Sequence, residues 1–208
     1  MSPHRPAVRP ARLAVRPARP GDLLGAAEAR VASWRAAFTG LVPQDFLDAM
    51  DPAAIASSWT ESIAAGRSRL YIALTTDPHQ PQRRDRPTDP HHPERQPERR
   101  GRGVERVVGY VSVGPERDPG APPDTGELYA LFVHPDHWGV GVGRALADAA
   151  CADLRAAGCT TVNLWVLEAN TRARRFYAKY SFEDTGDRGR SSLNELPEIR
   201  LSLSQRPS

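Results

Sequence analysis

The hydrophobic and polar positions along the chain follow two periods, and this pattern predicts a mixed α/β protein. Short apolar runs rich in β-branched residues predict six strands, at 13–16, 70–75, 107–113, 127–133, 161–167 and 198–203. Helical spacing predicts helices from Asp22 to about residue 37, through 46–50, from 52 to about 65, from the turn near 140 to about 157, and from Asn170 onward. The order of these elements indicates one sheet flanked by helices.

Two segments lack the apolar residues that a folded core requires. Residues 1–10 are basic, and residues 77–103 are rich in proline, histidine and charge. A segment of this composition buries too little apolar surface to offset the entropy lost on ordering. The sequence therefore predicts a disordered basic tail at 1–10 and one domain at 11–208 with a disordered insertion at 77–103. A docking or metal-binding role for the histidines of the insertion is the alternative.

Composition and charge exclude several classes of protein. No apolar run approaches the roughly eighteen residues of a membrane span, and the N-terminus has no apolar signal region. Two cysteines, Cys151 and Cys159, are too few for a disulfide framework, so we expect a cytoplasmic protein. The net charge of +3 comes with no basic stripe interleaved with aromatic residues. Nucleic acid and membrane are therefore not expected as partners, and we expect a monomer or homodimer.

A glycine-rich turn between a strand and a helix carries the clearest chemical signal. Residues 133–144 read VHPDHWGVGVGR, with glycines at 139, 141 and 143. Glycine permits close approach of backbone N–H groups, and a helix N-terminus adds unpaired donors, so such a turn favours phosphate binding. A dinucleotide site is not matched, because the third glycine comes one residue early and Asn163 stands where an acidic residue is expected. A Walker loop lacks its lysine, which leaves an acyl-CoA site or a turn without a ligand.

A second motif lies downstream, where residues 170–182 read NTRARRFYAKYSF. Together the two segments resemble the GNAT superfamily of acyl-CoA N-acyltransferases, whose motifs are Arg/Gln-x-x-Gly-x-Gly/Ala and Asn-x-x-Ala-x-x-Phe-Tyr-x-x-x-Gly-Phe. Trp138 replaces the Arg or Gln of the first motif, which removes a polar side-chain contact. Ser181 replaces the glycine of the second, which predicts a strained end of that helix. The resemblance covers about 107–182, with a looser match at 13–22.

The resemblance implies a mixed, mostly antiparallel central sheet with a splayed parallel strand pair, and acetyl-CoA as co-substrate. The pantetheine arm would pair with the backbone of Phe132 and Val133, and the Val133 N–H would stabilise the oxyanion. The pyrophosphate would bind backbone N–H groups of the glycine-rich turn. The expected cofactor-binding residues are Phe132, Val133, Trp138, Gly139, Val140, Gly141, Val142, Gly143, Arg144 and Asn170.

Acetylation of an amine requires a base, an oxyanion donor and an acid for the leaving thiolate. Glu127 is the candidate base, directly or through water, and a solvated carboxylate at the strand edge is the alternative interpretation. Tyr177 is the candidate acid, and a core aromatic is its alternative. Trp34 and Phe38 are candidates for lining the acceptor site, or belong to the helix core. We expect no metal site.

The expected reaction is transfer of an acetyl group to a primary amine, by direct attack in a ternary complex. The acceptor is a small molecule or a peptide or protein N-terminus that the sequence does not identify. A non-catalytic acyl-CoA-binding or protein-interaction module is the alternative function.

Overall fold

A computed structural model describes residues 12–76, 105–193 and 195–205. The tail predicted at 1–10 and the insertion predicted at 77–103 lie outside these described residues. The strands are β1 Arg12–Pro17, β2 Arg69–Thr76, β3 Glu105–Pro115, β4 Thr125–Val133, β5 Thr161–Leu167, β6 Glu183–Arg190 and β7 Pro197–Ser204. The helices are α1 Leu23–Phe38, α2 Gln44–Asp48, α3 Pro52–Ala64, α4 Val142–Ala156 and α5 Thr171–Lys179.

The seven strands form one sheet in the order β1-β2-β3-β4-β5-β7-β6. All neighbouring strands are antiparallel except β4 and β5, which are parallel and joined by the crossover helix α4. Their register extends only over Thr125–Glu127 against Thr161–Asn163, and beyond it the two strands diverge. The predicted mixed sheet with a splayed parallel pair is therefore confirmed.

Alternating side chains of the central strands bury the two faces of the sheet against different helices. Ala73 and Val111 pack with the apolar stripe of α4, including Leu146. Ile72 and Tyr110 pack on the opposite side, with α1 and α3. The sheet thus lies between two helical layers, and its core forms from the apolar positions that the sequence pattern identified.

Two predictions about individual helices and strands were wrong. Strand β6 was missed, because its sequence EDTGDRGR is almost entirely exposed and has no apolar side to give a period of two. It forms by pairing with β7. Asp22 was predicted to cap α1, but its carboxylate instead accepts hydrogen bonds from the Arg16 guanidinium at 2.7 and 3.0 Å and from the Arg19 amide at 2.7 Å.

The backbone at the end of α5 is strained, as the serine in place of the motif's glycine at position 181 predicted. Ser181 has a φ of +72°, while the Phe182 N–H donates to the Tyr177 carbonyl at 3.0 Å, which is the bond of a glycine-type helix end. A left-handed residue other than glycine costs about 1 kcal/mol. We expect Ser181→Gly to raise the free energy of unfolding by about 1 kcal/mol, measured by urea denaturation.

The matched control is Ser58→Gly, in the exposed middle of α3. There glycine meets an ordinary helical backbone, so we expect a loss of about 0.5–1 kcal/mol. Equal effects of the two substitutions would contradict the account of strain at Ser181.

Candidate active site

Two cavities meet where β4 and β5 splay apart. The glycine-turn cavity, about 580 Å³, lies between the start of α4 and α5. The tryptophan cavity, about 690 Å³, is lined by Trp34, Trp59 and Trp165. Residues that line both cavities mark the junction, and they are Phe38, Leu131, Phe132, Asn170, Ala173 and Tyr177. Molecules bound in the two cavities would therefore meet at this junction.

The glycine turn leaves backbone donors open at the start of α4. Gly139 and Gly141 have φ values of +78° and +92°, which only glycine adopts without strain. The first intrahelical bond runs from the Ala145 N–H to the Gly141 carbonyl at 3.0 Å, so the N–H groups of residues 142–144 have no acceptor within the helix. A side chain added at Gly139 or Gly141 would meet no protein atom within 4 Å. The turn therefore presents open space next to unpaired donors.

A row of basic side chains lines the glycine-turn cavity beside these backbone donors. Arg172, Arg175 and Lys179 on α5 line the glycine-turn cavity together with Arg144. Their spacing of three and four residues places the three α5 side chains on one helix face. The sequence analysis missed them, although this spacing within the second motif was a usable signal. The cavity thus combines four cations with a helix N-terminus, which suits a diphosphate.

Trp138 has its own role in the turn. Its indole N–H donates to the Val133 carbonyl at 2.7 Å, which ties the turn to the end of β4. The Arg172 guanidinium carbon lies 3.8 Å from the centre of the Trp138 ring. A cation is therefore present beside Trp138, at the place where the first motif of the GNAT superfamily usually supplies a polar side chain.

The register of β4 determines which backbone groups face the junction. The His134 N–H donates to β3 at 2.8 Å, and hydrogen-bonded positions alternate along an antiparallel strand. The backbone groups of Phe132 therefore face β3, while those of Leu131 and Val133 face the gap toward β5. This register favours Leu131 over Phe132 for a backbone contact with the cofactor, and the contact expected from Phe132 stays a prediction. Leu131 is a position that the sequence analysis missed.

Three other predicted cofactor-binding residues differ in what they present to the glycine-turn cavity. The Val140 side chain is 67% exposed and does not line the cavity. Val142 is buried in the core, so it offers the cavity only its N–H group. The Asn170 side chain accepts the Ala173 N–H at 3.0 Å, which makes it the cap of α5 as well as a lining residue.

Tyr177 lies at the junction and is almost fully buried. Its ring packs edge-on against Phe176 and Phe182, with centroid distances of 5.2 and 5.4 Å. Burial raises the pKa of Tyr177 well above its ordinary value, so the hydroxyl keeps its proton at physiological pH. The residue is thus both a core aromatic and a protonated hydroxyl at the junction.

Glu127 is not the solvated strand-edge carboxylate of the alternative interpretation, because its side chain is only 2% exposed. Arg117 forms an ion pair with it, donating from Nε at 2.9 Å, from its amide at 3.1 Å and from Nη2. Burial raises the pKa of Glu127, and the Arg117 charge opposes that rise. Arg117 lines the tryptophan cavity, whereas Glu127 does not. Glu127 is therefore separated from the cavity by its neighbours Arg117 and Glu116, which both line it.

Glu198 on β7 is a second carboxylate near the junction. It lines the tryptophan cavity. A side-chain carbon added at Gly189 would lie 3.6 Å from the Glu198 Cγ and 3.1 Å from the Trp165 ring, so these two side chains are neighbours. Burial is the main cause that raises the pKa of Glu198; Arg117 opposes the rise and Glu127 adds to it. The sequence analysis missed Glu198, because nothing local distinguishes it from other carboxylates at strand ends.

Trp34 and Phe38 belong to the helix core and also line the cavities, and their contact with an acceptor stays a prediction. They are buried, with ring centroids 4.6 Å apart, and they pack with Leu47 in a core cluster. Trp34 also lines the tryptophan cavity, and Phe38 lines both cavities.

Neither a metal site nor a membrane helix is found in the part of the chain that the structure describes. No group of three histidine, cysteine, aspartate or glutamate side chains there is arranged to hold a metal ion. Among the described residues, none of the helices α1 to α5 is both long and apolar enough to cross a membrane.

Residues 67–182, more than half of the chain, match the sequence profile of the Acetyltransferase (GNAT) family, so the chain belongs to that family. A mycothiol acetyltransferase from Geodermatophilus obscurus is 41% identical over 80 residues, which cover 38% of this chain and 26% of that protein. Another from Thermobispora bispora is 46% identical over 63 residues, which cover 30% of this chain and 21% of that protein. The chain thus matches only about a quarter of the length of these relatives.

Solved structures share the fold at low sequence identity. The PaiA N-acetyltransferase from Thermoplasma acidophilum in complex with coenzyme A superposes with a TM-score of 0.64 at 13% identity, over 93% of this chain and 99% of that one. YncA from Salmonella typhimurium, solved with its cofactor acetyl-CoA, gives 0.61 at 18% identity, over 95% and 96% of the two chains. At such identities the likeness establishes the fold.

Proposed function

We propose that this protein transfers an acetyl group from acetyl-CoA to a primary amine, by direct attack in a ternary complex. The observation that carries the proposal is the meeting of two cavities at one junction, at which Tyr177 lies and toward which the Val133 N–H points. One cavity suits a diphosphate, and the other is open to an acceptor. A binding module without catalysis would need no second cavity at that place.

The glycine-turn cavity fits the cofactor in three parts. The N–H groups of residues 142–144 and the four basic side chains would bind the phosphates. The unpaired edge of β4 at Leu131 and Val133 would pair with the pantetheine arm, as an added strand does. The thioester would then lie at the junction, with its carbonyl oxygen toward the Val133 N–H.

Three proton or charge tasks then fall to residues around the junction. The amine nitrogen attacks the thioester carbon, and the Val133 N–H stabilises the negative oxygen that forms. The carbon–sulfur bond breaks, and Tyr177 gives its proton to the departing sulfur. Before the attack a carboxylate takes one proton from the ammonium, because only the neutral amine attacks, and the nitrogen gives a second proton to solvent as the amide forms. Glu198 and Glu116 both line the cavity, but Glu116 is paired with Arg200 at 3.0 Å, so Glu198 is the proposed base. Glu127 remains the candidate that acts through Arg117 or water.

The acceptor is a small molecule or a peptide or protein N-terminus, and we propose that the protein acts in the cytoplasm as a monomer or homodimer. Support for a reducing compartment comes from Cys151 and Cys159, which are both free thiols.

The proposal is tested with a library of primary amines, by measuring release of the CoA thiol from acetyl-CoA. We expect release that requires both an amine and acetyl-CoA. With the acceptor found, kcat/KM should rise with pH as the base loses its proton, above the ordinary carboxylate range because burial raises the pKa of Glu198 and of Glu127. Glu198→Gln should remove this rise, and Glu127→Gln should only shift it.

Binding of acetyl-CoA without thiol release for any amine would favour the non-catalytic module instead. Loss of the rise in Glu127→Gln alone would return the role of base to that residue.

A further inference from the structure

Three buried hydrogen-bond donors, in side chains that line the tryptophan cavity, have no acceptor among the described residues. They are the Arg30 Nε, the Trp34 Nε1 and the Tyr110 hydroxyl. Trp34 is 5% exposed and Tyr110 is fully buried. Arg30 and Trp34 are four residues apart on α1, so they share one helix face. Buried polar groups are nearly always paired, so three unpaired donors on one cavity wall indicate a ligand.

The charge of Arg30 is also unbalanced. Within the described ranges no carboxylate forms an ion pair with it, and its guanidinium carbon lies 6.0 Å from the Trp59 ring and 5.8 Å from the Phe132 ring. Burial raises the pKa of Tyr110 to about 12, and the charge of Arg30 and a hydrogen bond from its side chain oppose that rise. Arg30 and Tyr110 are therefore neighbours, and the hydroxyl hydrogen of Tyr110 still has no acceptor. The three side chains share one neighbour, the Phe132 ring, which lies 6.2 Å from the Trp34 ring and 5.8 Å from both the Tyr110 ring and the Arg30 guanidinium carbon.

The chemistry of these donors determines which group of a ligand they can bind. Guanidinium and indole N–H groups donate and cannot accept, so the ligand group must offer acceptor atoms. Arg30 is a partly buried cation that no carboxylate of the described ranges pairs, which favours a negative charge on the ligand. Glu198 lines the same cavity, and Glu116 does so while paired with Arg200 at 3.0 Å. These carboxylates favour a monoanionic carboxylate over a phosphate dianion, and they suit the positive amine at the other end of the ligand.

We propose that Arg30, Trp34 and Tyr110 bind a carboxylate of the acceptor, so that the acceptors are amino acids or similar amines with a carboxylate a few bonds from the nitrogen. The short separation follows from Phe132, whose ring lies near Arg30 and also lines the junction. The inference rests on the proposed acetyl transfer, and it assigns the class of substrate to that reaction.

The test compares each of the common amino acids with its amide and with its decarboxylated amine, by CoA thiol release. We expect kcat/KM for the preferred amino acid to exceed that of its amide by about 10- to 100-fold, as for loss of one charge-assisted recognition group. Arg30→Gln should abolish this preference, and Arg30→Lys should retain part of it, since lysine keeps the charge without the planar fork. The control is Arg35→Gln, on the exposed side of α1, which should keep the preference.

Tyr110→Phe separates recognition from a structural role. Removal of an unpaired buried hydroxyl should raise the melting temperature. The same variant should lower the preference for the amino acid over its amide several-fold. A rise in melting temperature with an unchanged preference would show that the hydroxyl has no part in recognition.

The outcomes distinguish the two levels of the proposal. Amides or decarboxylated amines that react as well as the amino acids would overturn the carboxylate site while acetyl transfer stands. Absence of thiol release with every amine, while acetyl-CoA binds, would overturn acetyl transfer and the carboxylate site with it.

Discussion

Tyr177→Phe is expected to lower kcat by roughly ten- to ten-thousandfold, the range for loss of a general acid, while the affinity for acetyl-CoA is kept. The ring packs against Phe176 and Phe182, and phenylalanine preserves those contacts. Only the proton donor at the junction is lost. Steady-state kinetics with a verified acceptor and calorimetry with acetyl-CoA measure the two quantities.

The lower end of that range applies if water protonates the sulfur, because a thiolate with a pKa of about 8.5 is already a fair leaving group. Tyr180→Phe is the matched control, since Tyr180 is three residues away on the same chain segment and its hydroxyl donates to Asp148 at 2.6 Å, outside both cavities. We expect Tyr180→Phe to keep wild-type kcat. The measurement covers pH 6 to 9, a range that ends near the thiol pKa of about 8.5. Unchanged turnover of Tyr177→Phe across this range would show that Tyr177 is not the general acid.

Gly141→Val is expected to weaken acetyl-CoA binding by roughly a hundredfold or more. The added side chain would meet no protein atom within 4 Å and would stand in the open space beside the N–H groups of residues 142–144. Each charge-assisted bond that it blocks is worth about 1.5–3 kcal/mol. Isothermal titration of acetyl-CoA measures the loss.

A second effect of this substitution must be separated from the first. Gly141 has a φ of +92°, so valine there also strains the backbone by about 1–2 kcal/mol. Gly158→Val is the control, because Gly158 follows the other end of α4 with a φ of +89° and equally open surroundings. Both variants should lose similar stability, and only Gly141→Val should lose affinity. Equal acetyl-CoA affinity in the two variants would overturn the phosphate site.

The sequence by itself determined the elements with a clear period and the local chemistry of the two motifs. The α4 stripe and the apolar strands specify the sheet, and the glycines specify a turn that other residues adopt only with strain. Even the strained φ of Ser181 followed from one departure from a motif. These features depend on residues close together in the chain, so a linear pattern contains them.

Only the tertiary structure decided what depends on distant partners. Strand β6 exists because β7 offers it an edge, and Glu127 is buried because Arg117 covers it from ten residues away. The same holds for Glu198 at the tryptophan cavity and for the three buried donors without an acceptor, whose residues come from α1 and β3. Burial, pKa and unpaired donors are properties of packing, and packing joins residues that no local pattern relates.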